Sequence, residues 1–244
     1  MSRIMITLVG VGHVFNLSEQ VRQIIFSQKP NVVCVELDPH RYEILRNPQT
    51  AQSMPIMYRM LAEVQKRMAK EFGGEVGMEM IAATEAAKEI GAVVEFIDED
   101  AAVVFEKLWK EMPVKEKVCL MFSAITGFFM TKGKIEKELE RFEENGEDYI
   151  KSFGEQFPTI KKILIDDRNR MMASRIEDAC AHHGEVVAVV GDGHIEGIKK
   201  LLNDNEIKVF RLRDLRVWPS HDEKKTPAGN AEASFHFTYS DQYL

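Results

Sequence analysis

Two short segments of the chain carry the same arrangement: Gly10-Val-Gly-His13 and Gly191-Asp-Gly-His194. Each follows an apolar run, and each leads into a helical pattern. A histidine at a strand end offers a neutral imidazole nitrogen, and glycines there let the backbone come close to a ligand or a neighbouring strand. A metal centre needs further donors, and Glu36, at the end of Asn31-Val-Val-Cys-Val-Glu, is the best-placed carboxylate. Two imidazoles, a carboxylate and an open position suit a dication that lowers the pKa of bound water and polarises a carbonyl. Zinc, manganese and cobalt all fit that donor set. His13, His194 and Glu36 are therefore the expected ligands, Glu36 doubling as a proton carrier, with Gly10, Gly12, Gly191 and Gly193 shaping the pocket.

Each residue also has a plainer role. A single strand-end histidine equally suits a hydrogen-bonded structural position, and it is the matched pair that favours function. Glu36 equally suits a helix cap or a partner for Arg41. Gly10-Val-Gly12 after one strand, with Glu36 after the next, also looks like a dinucleotide fingerprint. Against that, Phe15 stands where a third small residue would allow close helix packing, and His13 would crowd a pyrophosphate. Nucleotide binding by this first βαβ unit is thus an alternative.

The elements that must position these residues follow from periodicity. Ile4 to Val9, Asn31 to Leu37, Ala92 to Ile97, Glu185 to Val190 and Ile207 to Phe210 read as strands. Helical patterns lie between them, the first capped by Asn16 or Ser18 and stopped at Lys29-Pro30. A helix from Gly77 to Ile90 ends at Gly91, where a C-terminal glycine is expected. The Met-rich segment Met54 to Met68 reads as packing, and the residues from about 101 to 175 as a helical middle. Loops leaving the carboxyl ends of parallel strands form the usual ligand crevice, so the two histidine loops should converge there. The expected class is α/β: a mixed, mostly parallel sheet flanked by helices, in one domain over residues 1–218, with 219–244 a tail or edge element.

Composition sets outer limits. At 45% hydrophobic and 29% charged residues the chain belongs with globular proteins. A net charge of -7 argues against broad attraction to nucleic acid or anionic lipid. The start lacks a secretory signal, and the apolar stretch Val118 to Met130 is shorter than the roughly 20 residues a spanning helix needs. That stretch reads as a buried helix, a peptide groove or a homodimer face. Cys34, Cys119 and Cys180 are far apart and read as free thiols of a reducing, cytoplasmic compartment.

Four separated blocks together resemble the TraB/PrgY family, related to Tiki-type and to erythromycin-esterase-like or ChaN-like proteins. They are Gly10-Val-Gly-His13 with Ser18; Val35-Glu-Leu-Asp38 with Arg41; Met80-Ile-Ala-Ala-Thr-Glu-Ala-Ala87 leading to Phe96-Ile-Asp98; and Asp167-Arg168 with Met172-Ala173, followed by Val189-Val-Gly-Asp-Gly-His194. The resemblance implies an α/β fold of two related halves with a metal site on both Gly-x-x-His motifs and a glutamate. Tiki-like relatives use such a site for metal-dependent peptide hydrolysis, and other members are linked to pheromone shutdown. Carried over, it makes Arg168 a catalytic residue stabilising an oxyanion, the plainer role being an ion pair with Asp166 or Asp167. One departure is that the family's usual Asp-Arg-Asp reads Asp98-Glu99-Asp100.

The expected function is a metal-dependent hydrolase of a peptide or other amide bond, with a non-catalytic peptide-sequestering protein as the alternative. His40, His182, His183, His221 and His236 have no matched partners in sequence and take no role.

Overall fold

The computed structural model describes residues 5–12, 15–47, 77–120, 146, 148–202 and 206–218. His13, the Met-rich segment, most of the apolar stretch ending at Met130 and the tail from 219 lie outside the described residues.

Strands β1 (Met5–Val11), β2 (Val32–Val35), β3 (Val93–Phe96), β4 (Val186–Gly191) and β5 (Glu206–Phe210) form one sheet in the order β3-β2-β4-β1-β5. Every pairing among the described residues is parallel, so the sheet is more uniform than the mixed one expected. A helix follows each strand and returns the chain to the same edge, which is what parallel neighbours require. Central β4 reads Val-Val-Ala-Val-Val-Gly and buries its first five residues, because helices cover both sides of it. The outer strands β3 and β5 are partly exposed.

Alternate residues of each strand feed two cores. Val9, Val11, Val33, Val35, Val187 and Val189 face α1 (Ser18–Gln28) and α3 (Met78–Glu89) through Val21, Ile24, Ile25, Met80 and Ala83. Ile6, Leu8, Val32, Cys34, Ala188 and Val190 face α6 (Arg168–His183) and α7 (Ile195–Leu201) through Met172, Ile176, Ile195 and Ile198. Short α2 (Pro39–Arg46) follows β2, and α8 (Leu212–Arg216) follows β5. The helical middle has its own small core, in which Val104, Leu108 and Met112 of α4 (Ala101–Glu111) and its end pack on Phe157, Ile160 and Ile163 around α5 (Pro158–Lys161).

Local signals explain most boundaries. Lys29 ends α1 in a left-handed conformation, φ 46°, before Pro30. Gly91, at φ 73°, turns the chain from α3 into β3 in a region that costs other residues strain. The expected cap of α1 is corrected: Leu17 occupies that position with no side-chain bond, and Asn16 Oδ1 accepts only the Ser18 N–H, at 3.4 Å.

Candidate functional site

β1 and β4 are adjacent, with Gly10 opposite Val190 and Val11 opposite Gly191. The strand ends that lead into the two Gly-x-x-His motifs therefore lie side by side at the same edge of the sheet. β2 flanks β4 on the other side, and Glu36 follows its last residue. Glu36 is 5% exposed, and the Gly191 N–H donates to its Oε2 at 2.6 Å. That bond orients the carboxylate and leaves Oε1 turned toward His194, whose Nε2 lies 3.5 Å away.

His194 closes a short 3₁₀ turn, Asp192–His194, and is buried. Its Nδ1 lies 2.7 Å from Asn169 Oδ1. An amide oxygen only accepts, so Nδ1 carries a proton, and Nε2 faces both Glu36 Oε1 and the Arg168 guanidinium. Asn169 reaches this position because Gly197 of α7 has no side chain, and a Cβ there would collide with the Asn169 amide. Gly10 plays the same part for Asp192, since a Cβ on it would strike the Asp192 carboxylate. Asp192 is a structural anchor: its Oδ1 accepts from Arg211 Nε at 2.9 Å and from the Leu212 N–H at 2.8 Å, and its Oδ2 from the Arg211 terminal nitrogen at 2.8 Å. Arg211 thereby fixes the second histidine loop to the end of the sheet.

Arg168 lies at the centre of the site. It is the first residue of α6, directly after a π-helical segment, Lys162–Asp167, a geometry that often accompanies functional positions. Asp98 accepts its Nε at 2.9 Å and one terminal nitrogen at 2.7 Å, a bidentate fork. The same terminal nitrogen donates to Glu36 Oε1, and the other donates to the Leu164 carbonyl at 3.3 Å and lies 3.3 Å from His194 Nε2. Burial alone would lower the guanidinium's pKa, but the Glu36 and Asp98 carboxylates outweigh it and push the value further up. Arg168 is a permanent cation.

The plainer expectation of a surface pair with Asp166 or Asp167 is thereby replaced. Asp166 pairs with Lys161, Asp167 with Lys107, Lys162 and Arg170, while Arg168 turns inward. Glu36 does not cap α2 or hold Arg41 either; Asp38 caps that helix, and Arg41 donates to Asp98 at 3.3 Å. Asp98 is the residue sequence reasoning undervalued. Besides Arg168 and Arg41 it binds Arg175, through its carbonyl, at 2.6 Å, while Asp100 caps α4. Glu99, for all its departure from the family pattern, touches this network only through its backbone N–H, which donates to Asp98. The signal for Asp98 was its place one step beyond a buried strand beside an arginine-rich helix; Asn169 had no signal apart from adjacency to Arg168.

Of the residues singled out from sequence, Glu36, Arg168 and His194 come together, and Gly10 and Gly191 line the same edge. Gly12 lies against Leu212, and Gly193 sits inside the 3₁₀ turn. His13 falls outside the described residues. The Glu36 and His194 donors suit a dication: ligand bonds of about 2.1 Å place adjacent donor atoms about 3.4 Å apart in a tetrahedral site. A ligating imidazole also characteristically donates its other N–H to an oxygen, as His194 does to Asn169.

The dinucleotide alternative loses its geometric basis. In that fold β1 and β2 are neighbours and a helix starts at the glycine turn; here β4 lies between them and α1 starts only at Ser18.

A parallel α/β sheet with a buried polar cluster of Glu36, Asp98, Arg168 and His194 at its carboxyl edge, where parallel sheets form their ligand crevice, defines the class of protein. The chain belongs to the TraB/PrgY/gumN family, whose sequence model matches residues 2–212. It is similar to an uncharacterized protein of Methanocaldococcus jannaschii, 33% identical over 224 residues, covering 85% of this chain and 56% of the relative. The chain thus spans about half the length of the curated relative it matches. No helix among the described residues is long and apolar enough to cross a membrane.

Proposed function

We propose that the crevice is a metal-dependent hydrolytic site for a peptide or other amide bond, with Glu36, His194 and His13 holding zinc, manganese or cobalt. The observation that carries this reading is the His194 side chain, its Nδ1 held by Asn169 and its Nε2 3.5 Å from a buried Glu36 oxygen. The dication would supply Lewis acidity toward the scissile carbonyl and a more acidic water. Glu36, anchored through Oε2, would turn Oε1 either to the ion or to the attacking water, in the second case taking a proton that it would return to the leaving amine. The water oxygen bonds to the carbonyl carbon, the C–N bond breaks, and a carboxylic acid and an amine result. Arg168, held by Asp98, presents a fixed positive charge for the developing oxyanion.

A second reading, peptide capture without cleavage, draws on Arg168 itself. Its guanidinium contacts both Glu36 Oε1 and His194 Nε2, so a cation already neutralises the buried carboxylate. Metal analysis of protein purified without chelator separates the two, together with His13→Ala and His194→Ala variants. Hydrolysis predicts bound metal in the parent chain, about one equivalent less in both variants, and metal-dependent cleavage within a broad peptide library. Equal metal content in all three proteins overturns the ligand assignment; bound metal with no cleavage leaves capture.

A further inference from the structure

We infer that Asp38, His40 and Asp100 form a second divalent-cation site, separate from the Glu36–His194 crevice. One ligand atom from each lies within 4.8 Å of the others. His40 sits in the first turn of α2, just after Asp38, and Asp100 precedes α4, so the cluster joins the loop after β2 to the loop after β3.

Helix capping explains only half of what these carboxylates do. Asp38 Oδ1 accepts the Arg41 N–H at 2.9 Å, and Asp100 Oδ1 accepts those of Ala102 and Val103 at 2.7 and 3.4 Å. Asp38 is 3% exposed, yet its Oδ2 is buried with no hydrogen-bond partner among the described residues. A buried carboxylate oxygen left without a donor is unfavourable in the apo protein, and a cation is the partner this site accepts best. Arg41 does not fill the role, because its guanidinium donates to Asp98.

The electrostatic balance favours a cation. The amino ends of α2 and α4 each present about half a positive charge. Two full carboxylate charges exceed that sum. One imidazole with two carboxylates selects manganese or zinc over magnesium or calcium, which favour oxygen donors alone. Because His40 is exposed, solvent reaches the site directly. A bound ion would tie together the two loops that carry Glu36 and Asp98, the two carboxylates gripping Arg168.

The test titrates Zn²⁺ or Mn²⁺ into chelator-stripped full-length protein by calorimetry, with thermal melts in parallel. It compares the parent, His194→Ala, and His194→Ala combined with His40→Gln or with Asp100→Asn. Asparagine retains the cap of α4, so that variant tests ligation apart from folding. The inference expects His194→Ala to keep one equivalent of metal and a metal-dependent rise in melting temperature. Either added substitution should weaken that binding at least tenfold and abolish the rise. Binding to His194→Ala that neither addition alters, or no binding to it at all, overturns the second site. Equal metal binding by the parent and His194→Ala, lost when His40→Gln is added, overturns the crevice reading and leaves this one standing.

Discussion

Asp98 grips Arg168 with both carboxylate oxygens, at 2.9 and 2.7 Å, across 70 positions of sequence. The pair is buried and joins the end of β3 to the start of α6, and Arg168 contacts Glu36 and His194. Glu36 takes part in the same network, so Arg168 balances two acids at once.

Asp98→Asn should therefore destabilise the protein by about 3 kcal/mol, the low end for breaking a buried ion pair, because Glu36 still faces the guanidinium. Urea denaturation at neutral pH measures this. A loss no larger than that of an exposed ion pair would show that Glu36 alone suffices for Arg168.

Gly197→Ala lies in α7, outside the crevice, yet its methyl would displace the Asn169 amide from His194. Overpacking of this kind costs about 1–3 kcal/mol. On the proposed function, metal affinity also falls, by about 10–100-fold, as it does when an outer-shell partner of a ligating histidine is lost. Asn169→Ala should lower affinity similarly with less loss of stability, and melts with metal titrations separate the two effects.

Asp167 gives the acid limb of stability a defined contributor. Burial raises its pKa, but hydrogen bonds from Lys107 and Lys162 outweigh that and set it below the ordinary carboxylate value. A depressed folded-state pKa stabilises above the unfolded value, near 4, and that contribution is lost as pH falls through the folded one. Asp167→Asn should therefore reduce stability at pH 7 and flatten its decline below about pH 4, as urea midpoints across pH would report.

The thiols should differ in reactivity. Burial pushes the Cys34 and Cys180 thiols up, whereas Cys119 is only partly covered. Thiolate is the reactive form, so at pH 8 a thiol reagent should label Cys119 in the native protein and reach the other two only on unfolding. Prompt labelling of all three would contradict the burial of Cys34 under α6.

Strands were legible in sequence because Val-Val-Cys-Val and Val-Val-Ala-Val-Val have few other places in a folded chain than a covered parallel sheet. The Gly-x-x-His loops were legible for the same reason: each breaks such a run abruptly. Strand order was not, since nothing local tells β4 to enter between β1 and β2. The network around Asp98 stayed hidden because its members come from β3, α2 and α6, and an acid beside a helix start reads as a cap. In fact Asp100 caps, and two residues earlier the same acidic run turns inward. His40 was passed over because its neighbour in space, Asp100, is far away in sequence.

The strand order has a consequence for how the chain is made. Glu36 and Gly191 are 155 positions apart, and until the second is present β1 and β2 have no strand between them to pair with. At about 5–20 residues per second, a ribosome takes on the order of ten seconds or more to supply it. During that time β2 can pair only with β3 and β1 has no partner strand, and Glu36 and Asp98 wait without Arg168. Truncations ending before β4 should thus need chaperone protection and form no crevice, because the nascent chain acquires its centre last.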